Sequence, residues 1–390
     1  MSAGAFDVAV VGGGIAGRAA AIAVAKSGCR TLHLAPPAPP DRRTSALMGP
    51  TVDFLGRLGV VEDPALAGCP LRRVRIIDAT SRLVRAPEAL FDSQEVGREA
   101  FGWNFANTAL ADACERVAAG LAPLTTRPQS LVTLEAGADG DQPVRLTLSD
   151  GQSAEAALVV GADGRNSAVR GAVGIATREH KFAEAALVCD LILQRPLGAT
   201  SVEFHYPHGP FTLVPAGENR ANLVWIDDRS VLDEVRSLPS ATIAERLAVK
   251  AQSLFGAVEL TSPPVVFPLS TLSVGVAGRC GVVLVGESAH AFPPIGAQGL
   301  NLGLRDVADL ADLLRDTDRE VPGWAGRLSR RYAERRAGDL ARTGAIVDGL
   351  FRSLIAEMLP AQAARAAGLW ALKLLPPIRR QAFAAGMGTR

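Results

Sequence analysis

GVVLVGESAHAFPPIGAQGLNLGLRD, residues Gly281 to Asp306, is the stretch around which the chain can be read. Val282 to Val285 form a short, continuous apolar run, as expected of a strand buried on both faces. An acid, Glu287, stands at its end, and a loop follows with Pro293, Pro294, Gly296 and Gly299. The pattern then becomes helical, with Leu300, Leu304, Val307, Ala311 and Leu314 on one face. A strand, a Gly/Pro loop and a helix start together aim bare backbone N–H groups and a positive dipole end at one point. Phosphate or a developing anion suits that point. An ordinary strand-to-helix connection needs fewer prolines and glycines than this one has.

The N-terminus supplies a second site of the same kind. Phe6 to Val11 reads as a buried strand, followed by Gly12-Gly-Gly14-Ile15-Ala16-Gly17. An Ala-rich helix then runs through Lys26, Gly28 follows it as the left-handed terminator, and Arg30 to Ala35 forms the next strand. In such a βαβ unit Gly12 permits the tight turn, Gly14 the close approach of a pyrophosphate, and Gly17 the packing of helix on strand. The acid that would hold an adenosine ribose at the end of the second strand is absent, and Ala35 takes its place. Looser binding, a ribose held by another group and a degenerate site are all compatible with that change. The motif says dinucleotide without choosing between FAD and NAD(P).

G-E-S-A-H-x-x-P-P-x-G-A-Q-G-L-N resembles the second flavin motif of the class A flavoprotein monooxygenases, the aromatic hydroxylases. The resemblance implies a ribityl contact at Glu287, where the family usually has Asp. It also implies a proline beside the isoalloxazine at Pro294, and backbone from Ala297 to Asn301 facing the ring's N1/O2 edge. Asp41-Arg-Arg43-Thr-Ser-Ala-Leu47, with L-x-x-L-G after it, is similar to the ubiquinone-biosynthesis branch, and this makes Arg43 a flavin contact. A guanidinium fork matches a phosphate or a carbonyl edge. Gly161-Ala-Asp163-Gly164-x-x-Ser167-x-Val-Arg170 matches the family's central motif, which implies contacts to FAD and to passing NAD(P)H at Asp163 and Gly164. Read locally, Asp163-Gly164 is a turn, Ser167 a helix cap and Arg170 an ion-pair partner. Asn107 reads equally as an N-cap and as a flavin-side group.

The expected cofactor site is thus Gly12, Gly14, Ile15, Ala16, Gly17, Arg43, Asn107, Asp163, Gly164, Glu287, Pro294, Gly299, Leu300 and Asn301, with Pro294, Gly296 and Ala297 at the reacting end. The fold class is α/β: a discontinuous Rossmann-like FAD-binding domain (1–70, 96–180 and 268–330), an inserted antiparallel-sheet substrate domain (71–95 and 181–267) and a C-terminal helical region (331–390). Leu71 to about Arg85 reads as a hairpin, Thr51 to Leu58 as an amphipathic helix, and Tyr332, Arg335, Arg336 and Asp339 as a solvated or ion-paired helix face. Phe204, Phe211 and Trp225 read as core of the sheet domain. Glu203, His205 and His208 flank the turn sequence His205-Tyr-Pro-His208-Gly-Pro, which reads as a turn and not as a metal site.

Composition narrows the function. With 390 residues, the chain is long enough for one large or two joined domains. A net charge of +1 with 21% charged residues offers no nucleic-acid surface. The five cysteines are scattered without a C-x-x-C pair, as in a reduced cytoplasmic protein, and the start of the chain lacks the basic region of a signal peptide. No apolar run reaches the roughly 20 residues of a membrane span, although mean hydropathy is +0.18. Residues 349–390 interleave apolar and basic positions, so this tail reads either as a helix packed on the flavin domain or as one lying on the inner face of a membrane or on a partner protein.

No carboxylate pair, triad or metal cluster is visible, which suits chemistry carried by a cofactor. The resemblance implies reduction of FAD by NAD(P)H, reaction with O₂ to a C4a-hydroperoxyflavin, and hydroxylation of a polyprenylated phenol in ubiquinone biosynthesis. A hydroxylase of small soluble phenols or aromatic acids would share the flavin motifs. Ala35 and Glu287 also admit a flavin-free scaffold in a quinone-synthesis assembly. His290 reads as a loop anchor and not as a proton carrier.

Overall fold

The computed structural model describes residues 6–80, 86–137, 140–294 and 296–355, with 368, 370, 371, 374 and 379. Its first sheet is the parallel one expected from the apolar runs. Strands Leu124–Arg127, Thr31–Leu34, Phe6–Val11, Ser153–Gly161 and Val282–Leu284 lie side by side in that order, each parallel to its neighbour. Phe6–Val11 sits in the middle, so the chain reverses direction across the sheet beside it. Ligands of such sheets bind at that reversal, outside the carboxyl ends of the strands.

Helices cover one face of this sheet. Ile15–Lys26, Gln298–Arg315 and the long Trp324–Ile355 bury Ile22, Leu304, Val307, Leu310 and Tyr332 against Val8, Val10, Leu158 and Val283. Val144–Leu148 and Leu131–Glu135 form an antiparallel extension of the sheet, and Leu134 and Leu146 pack with Ala9, Leu32, Val159 and Leu284 on its other face.

The second sheet has nine strands and is mostly antiparallel. At its centre Thr177–Leu193 pairs with Arg220–Asp228 and Val265–Val274, and beyond lie Gly209–Pro215, Thr200–Tyr206, Arg73–Asp78 and Ala89–Asp92. Alternation decides its two faces. Leu187, Cys189, Leu213, Leu223 and Trp225 point to one side, where helices Arg229–Arg236 and Ser240–Lys250 seal them in. Phe204, Phe211 and Trp225 are core there as expected, stacked edge to face. The opposite side alternates half-buried residues, among them Val188, Glu203, Thr212 and Val224.

A small third sheet joins the two bodies. Thr44–Met48 and Cys69–Leu71 both pair with Gly102–Ala106. The hairpin expected from Leu71 is therefore displaced: Cys69–Leu71 belongs to the joining sheet, while Arg73–Asp78 turns back onto Ala89–Asp92, and 81–85 lie outside the described residues. The amphipathic helix runs over Gly49–Arg57, slightly ahead of Thr51–Leu58, because Pro50 near its start suits a first turn. The tail from 349 lies largely outside the described residues, but Arg379 pairs with Glu95 at 2.6 Å, and Trp370 and Leu374 are exposed.

Candidate active site

The two glycine-rich motifs meet the central motif at the end of the parallel sheet. Gly12 has φ +130°, and a Cβ there would stand 2.1 Å from the Ala162 carbonyl oxygen, so the segment leaving strand Ser153–Gly161 comes so close that only glycine fits. A Cβ on Gly17 would meet the Gly12 carbonyl at 2.1 Å, the close packing of helix on turn that the spacing implies. At Gly14, by contrast, a Cβ would meet nothing. Gly14 precedes helix Ile15–Lys26, whose first turn has no side-chain cap. Its N–H groups thus face open space beside a positive dipole end. Ile15 and Ala16 belong to that first turn, and a Cβ placed on Gly286 of the other flavin motif would lie 3.4 Å from the Ala16 Cβ.

Helix Gln298–Arg315 is likewise uncapped by a side chain. Gly296 and Ala297 before it both adopt left-handed backbone, at φ +62° and +54°. That conformation is costly for alanine, and it turns successive N–H groups toward the side where Pro294, Gly296 and Gly299 are exposed. Asn301 serves a different end. It is buried, accepts from Met48 N at 2.8 Å and donates to the Ala46 and Ala297 carbonyls, so its side chain staples the loop to the joining sheet. Leu300 is half-buried in the same turn, and Glu287 is exposed in the 3-10 turn Gly286–Ser288.

Two expectations need correction. Asn107 does not cap its helix: the helix starts at Asn107, which accepts from Ser45 Oγ and donates to Asp41 Oδ2. Arg43 is tied by its fork to Asp41, at 2.8 Å through both Nε and Nη2. Burial raises the Asp41 carboxyl, but hydrogen bonds from Arg43 and Asn107 outweigh it and hold the group below its ordinary value. Among the described residues Arg170 makes no ion pair; it donates to the Ser288 and Arg165 carbonyls, which ties the central motif to the Glu287 turn. Asp163 spends both carboxylate oxygens locally, on Ser167 Oγ and Val169 N, and Ser167 caps Ala168–Ala172 as expected. The backbone of Gly164, at φ +79° with nothing near it, is the part of that turn left open.

Beneath the loop lies a charge network that the sequence reading placed at a solvated or ion-paired surface. Tyr332 and Arg336 are fully buried. Arg336 donates to Asp306 and Asp309 at 2.7 Å and pairs with Asp339 at 2.8 Å, while Tyr332 Oη donates to the Leu284 carbonyl. Asp306 also accepts from Gly286 N at 2.9 Å and pairs with His290 Nε2 at 2.7 Å. His290 therefore anchors the loop. Burial raises the Asp339 carboxyl, but Arg305 and Arg336 overcome it and hold it at about 2.

His33 was missed. Buried beside Ala35, it donates from Nε2 to the Gly12 carbonyl at 3.0 Å, and burial holds its pKa below the ordinary value. Past Ala35 opens a cleft of about 370 Å³ lined by Arg18, His33, Ala35, Glu115 and Thr126. Arg18 bridges it, donating to Gly13 O and to Glu115.

Two uncapped helix starts, glycines open at positions 14, 164 and 299, and a cleft at the end of the second strand fit a long, doubly phosphorylated dinucleotide. The FAD binding domain family matches residues 5–337. Ubiquinone hydroxylase UbiL of Rhodospirillum rubrum is 31% identical over 98% of this chain and 90% of its own. The chain belongs to the ubiquinone-hydroxylase family of FAD-dependent aromatic monooxygenases. The 3-demethoxyubiquinol 3-hydroxylase of Escherichia coli is 29% identical over 98% of both chains. The structure of p-nitrophenol 4-monooxygenase PnpA from Pseudomonas putida superposes with a TM-score of 0.81 over the full length of both, at 19% identity, and so shares the fold. The hydroxylase is FAD-dependent, and the flavin-free alternative falls away.

Against the nine-stranded sheet lies a partly buried cation, Lys250. Lys250 lies 4.3 Å from the Tyr206 and Trp225 ring centroids and pairs with Asp227. It packs against Trp225, hence on the helix-covered face. Cys29, Cys69, Cys114 and Cys189 are free thiols; burial pushes Cys114 and Cys189 up to about 12, so they stay protonated. Among the described residues no helix is long and apolar enough to cross a membrane.

Proposed function

We propose that this hydroxylase oxygenates the ring of a polyprenylated phenol in ubiquinone biosynthesis, consuming NAD(P)H and O₂. The half-open face of the nine-stranded sheet carries the reading. Ile76, Val188, Val224, Val265 and Phe267 make it apolar, and it leads to the flavin loop, because Leu272 and Ser273 pair directly with Ala291 and His290. A small aromatic acid would call for a buried cation there; Lys250 is on the other side, and Arg220, on this face, is exposed at the strand's start. Near-full-length likeness to two ubiquinone-pathway hydroxylases supports the same reading.

In this reading the division 1–70, 96–180 and 268–330 against 71–95 and 181–267 separates cofactor from substrate. The open backbone at Gly14, Gly164 and Gly299 would hold the phosphates and the flavin edge, with Glu287 on the ribityl chain and Pro294, Gly296 and Ala297 beside the ring. FAD supplies the oxygen transfer. The protein orients the phenol, excludes water and stabilises negative charge with helix-start N–H groups. Glu115, held by Arg18, would take the ribose in place of the acid missing at Ala35. Exposed Trp370 and Leu374 support peripheral contact with the membrane that carries such a substrate. The experiment is turnover of the purified, FAD-loaded protein with a short-chain 2-prenylphenol, NAD(P)H and isotopically heavy O₂. A product heavier by one labelled oxygen is expected; NAD(P)H oxidation without that product would sink the substrate assignment.

A further inference from the structure

We propose that the Glu203–His205 pair binds the hydroxyl of the phenol and takes its proton. The inference rests on the phenol reading above and assigns a catalytic role within it. Residues directly paired across a sheet point to the same face. Glu203 pairs with Thr212 and with Ile76, Thr212 with Val224, and Val224 with Val188. All five are half-buried, whereas Phe204, Leu213, Trp225 and Leu187 between them are sealed beneath the helices. Glu203 therefore stands in the row of apolar residues on the half-open side.

That side faces the flavin body. Asn222, two residues from Val224 and on its face, accepts from Thr44 Oγ1 and Asn104 Nδ2 of the joining sheet, each at 2.8 Å. The joining sheet is in turn fixed by Asn301 to the loop that ends in Ala297.

His205 is buried and sits 2.6 Å from Glu203 through Nε2 and Oε1. Of the other acids on this face, Asp190 is engaged by Asn222 Nδ2, Asp78 by the Thr80 and Ala86 N–H groups, and Asp228 by His208 at 3.5 Å, while Glu184 stands opposite Asp228 on Thr177–Leu193, away from the pair. Among the described residues, His205 is the partner of Glu203. A carboxylate braced by an imidazole within an apolar row is a hydrogen-bond acceptor on a half-open face, suited to an apolar molecule with one donor. A phenol is such a molecule. In the step proposed, the phenol O–H bond breaks, the proton settles on the carboxylate–imidazole pair, and the electron pair stays on the ring oxygen. The resulting phenolate is the more electron-rich ring for an incoming electrophilic oxygen.

The test uses the FAD-loaded protein and 2-geranyl-4-nitrophenol, whose phenolate absorbs visible light and whose phenol does not, buffered below the probe's own pKa. Binding to the wild type is expected to produce the phenolate band in the difference spectrum. Glu203→Gln should still bind the probe, but with the ratio of phenolate to phenol about tenfold lower or more, the equivalent of one pKa unit. His205→Gln should fall between the two, Glu203→Asp should restore part of the band, and retained FAD reports that each variant is folded. Equal bands in wild type and Glu203→Gln, or a wild type that binds the probe as the neutral phenol, would overturn the assignment. A wild type that holds FAD yet never binds the probe would remove the prenylphenol reading itself, and the pair's role with it.

Discussion

The glycine-rich end of the parallel sheet and the half-open face of the nine-stranded sheet are built from different parts of this hydroxylase's chemistry. Around Gly12, Gly14, Gly164 and Ala297 the groups left open are backbone ones, and side chains are mostly absent or turned away: Asp163 folds into its own turn, and Asn301 into the joining sheet. On the nine-stranded sheet the backbone is consumed by pairing, and the face is defined by which side chains register puts in a row. Backbone sites demand particular residues at fixed spacings, since a glycine is needed wherever another chain segment comes within about a van der Waals radius. Side-chain sites demand only that strands pair correctly, so their residues are scattered from Ile76 to Phe267.

Substitution at Gly12 should break the backbone site most severely. Gly12→Ala puts a Cβ against the Ala162 carbonyl at a φ hostile to alanine, and is expected to yield protein that is insoluble or retains no FAD. Flavin absorbance after reconstitution measures this; normal FAD content would show that the Gly12–Ala162 approach is not a constraint.

The network beneath the loop should respond next. Arg336→Met leaves Asp306, Asp309 and Asp339 buried without their shared cation, at a cost of about 3–5 kcal/mol. Urea unfolding at neutral pH reads that cost. Asp339, held at about 2, contributes stability that is present above its unfolded value of about 3.9 and lost as pH falls through its folded value. The gap between wild type and Arg336→Met should therefore narrow as the pH is lowered from 4 toward 2. A gap unchanged in acid would place the cost outside the ion pairs.

The smallest effect is expected where the two regions meet. Asn222→Ala removes the links to Thr44 and Asn104, each worth about 0.5–1.5 kcal/mol. FAD affinity should hold while hydroxylation uncouples from NAD(P)H oxidation, which peroxide release would record. Loss of FAD instead would mean that the backbone site depends on the nine-stranded sheet more than its own contacts suggest.

Legibility followed the same line. Gly12, Gly17 and Gly28 could be assigned from the sequence because each marks a backbone geometry that few residues tolerate. Arg43 and Asn107 could be placed near the site, but not their knot with Asp41 and Ser45, which depends on the joining sheet bringing the two segments together. Arg336 could be read as solvated or ion-paired, and it is ion-paired; nothing local reveals that it is buried, or that Asp306 and Asp309 of another helix wait opposite it.

By itself, then, the sequence determined the parallel sheet, its two glycine-rich turns and the dinucleotide they serve. Short apolar runs and obligatory glycines are local signals, fixed by sterics within a few residues. Only the tertiary structure decided that His33 buttresses Gly12, that Lys250 lies on the sealed face and that Glu203 lies on the open one. Those facts follow from strand register and helix packing, in which residues far apart in the chain share one environment, and the energy that selects them comes from burial of the whole core.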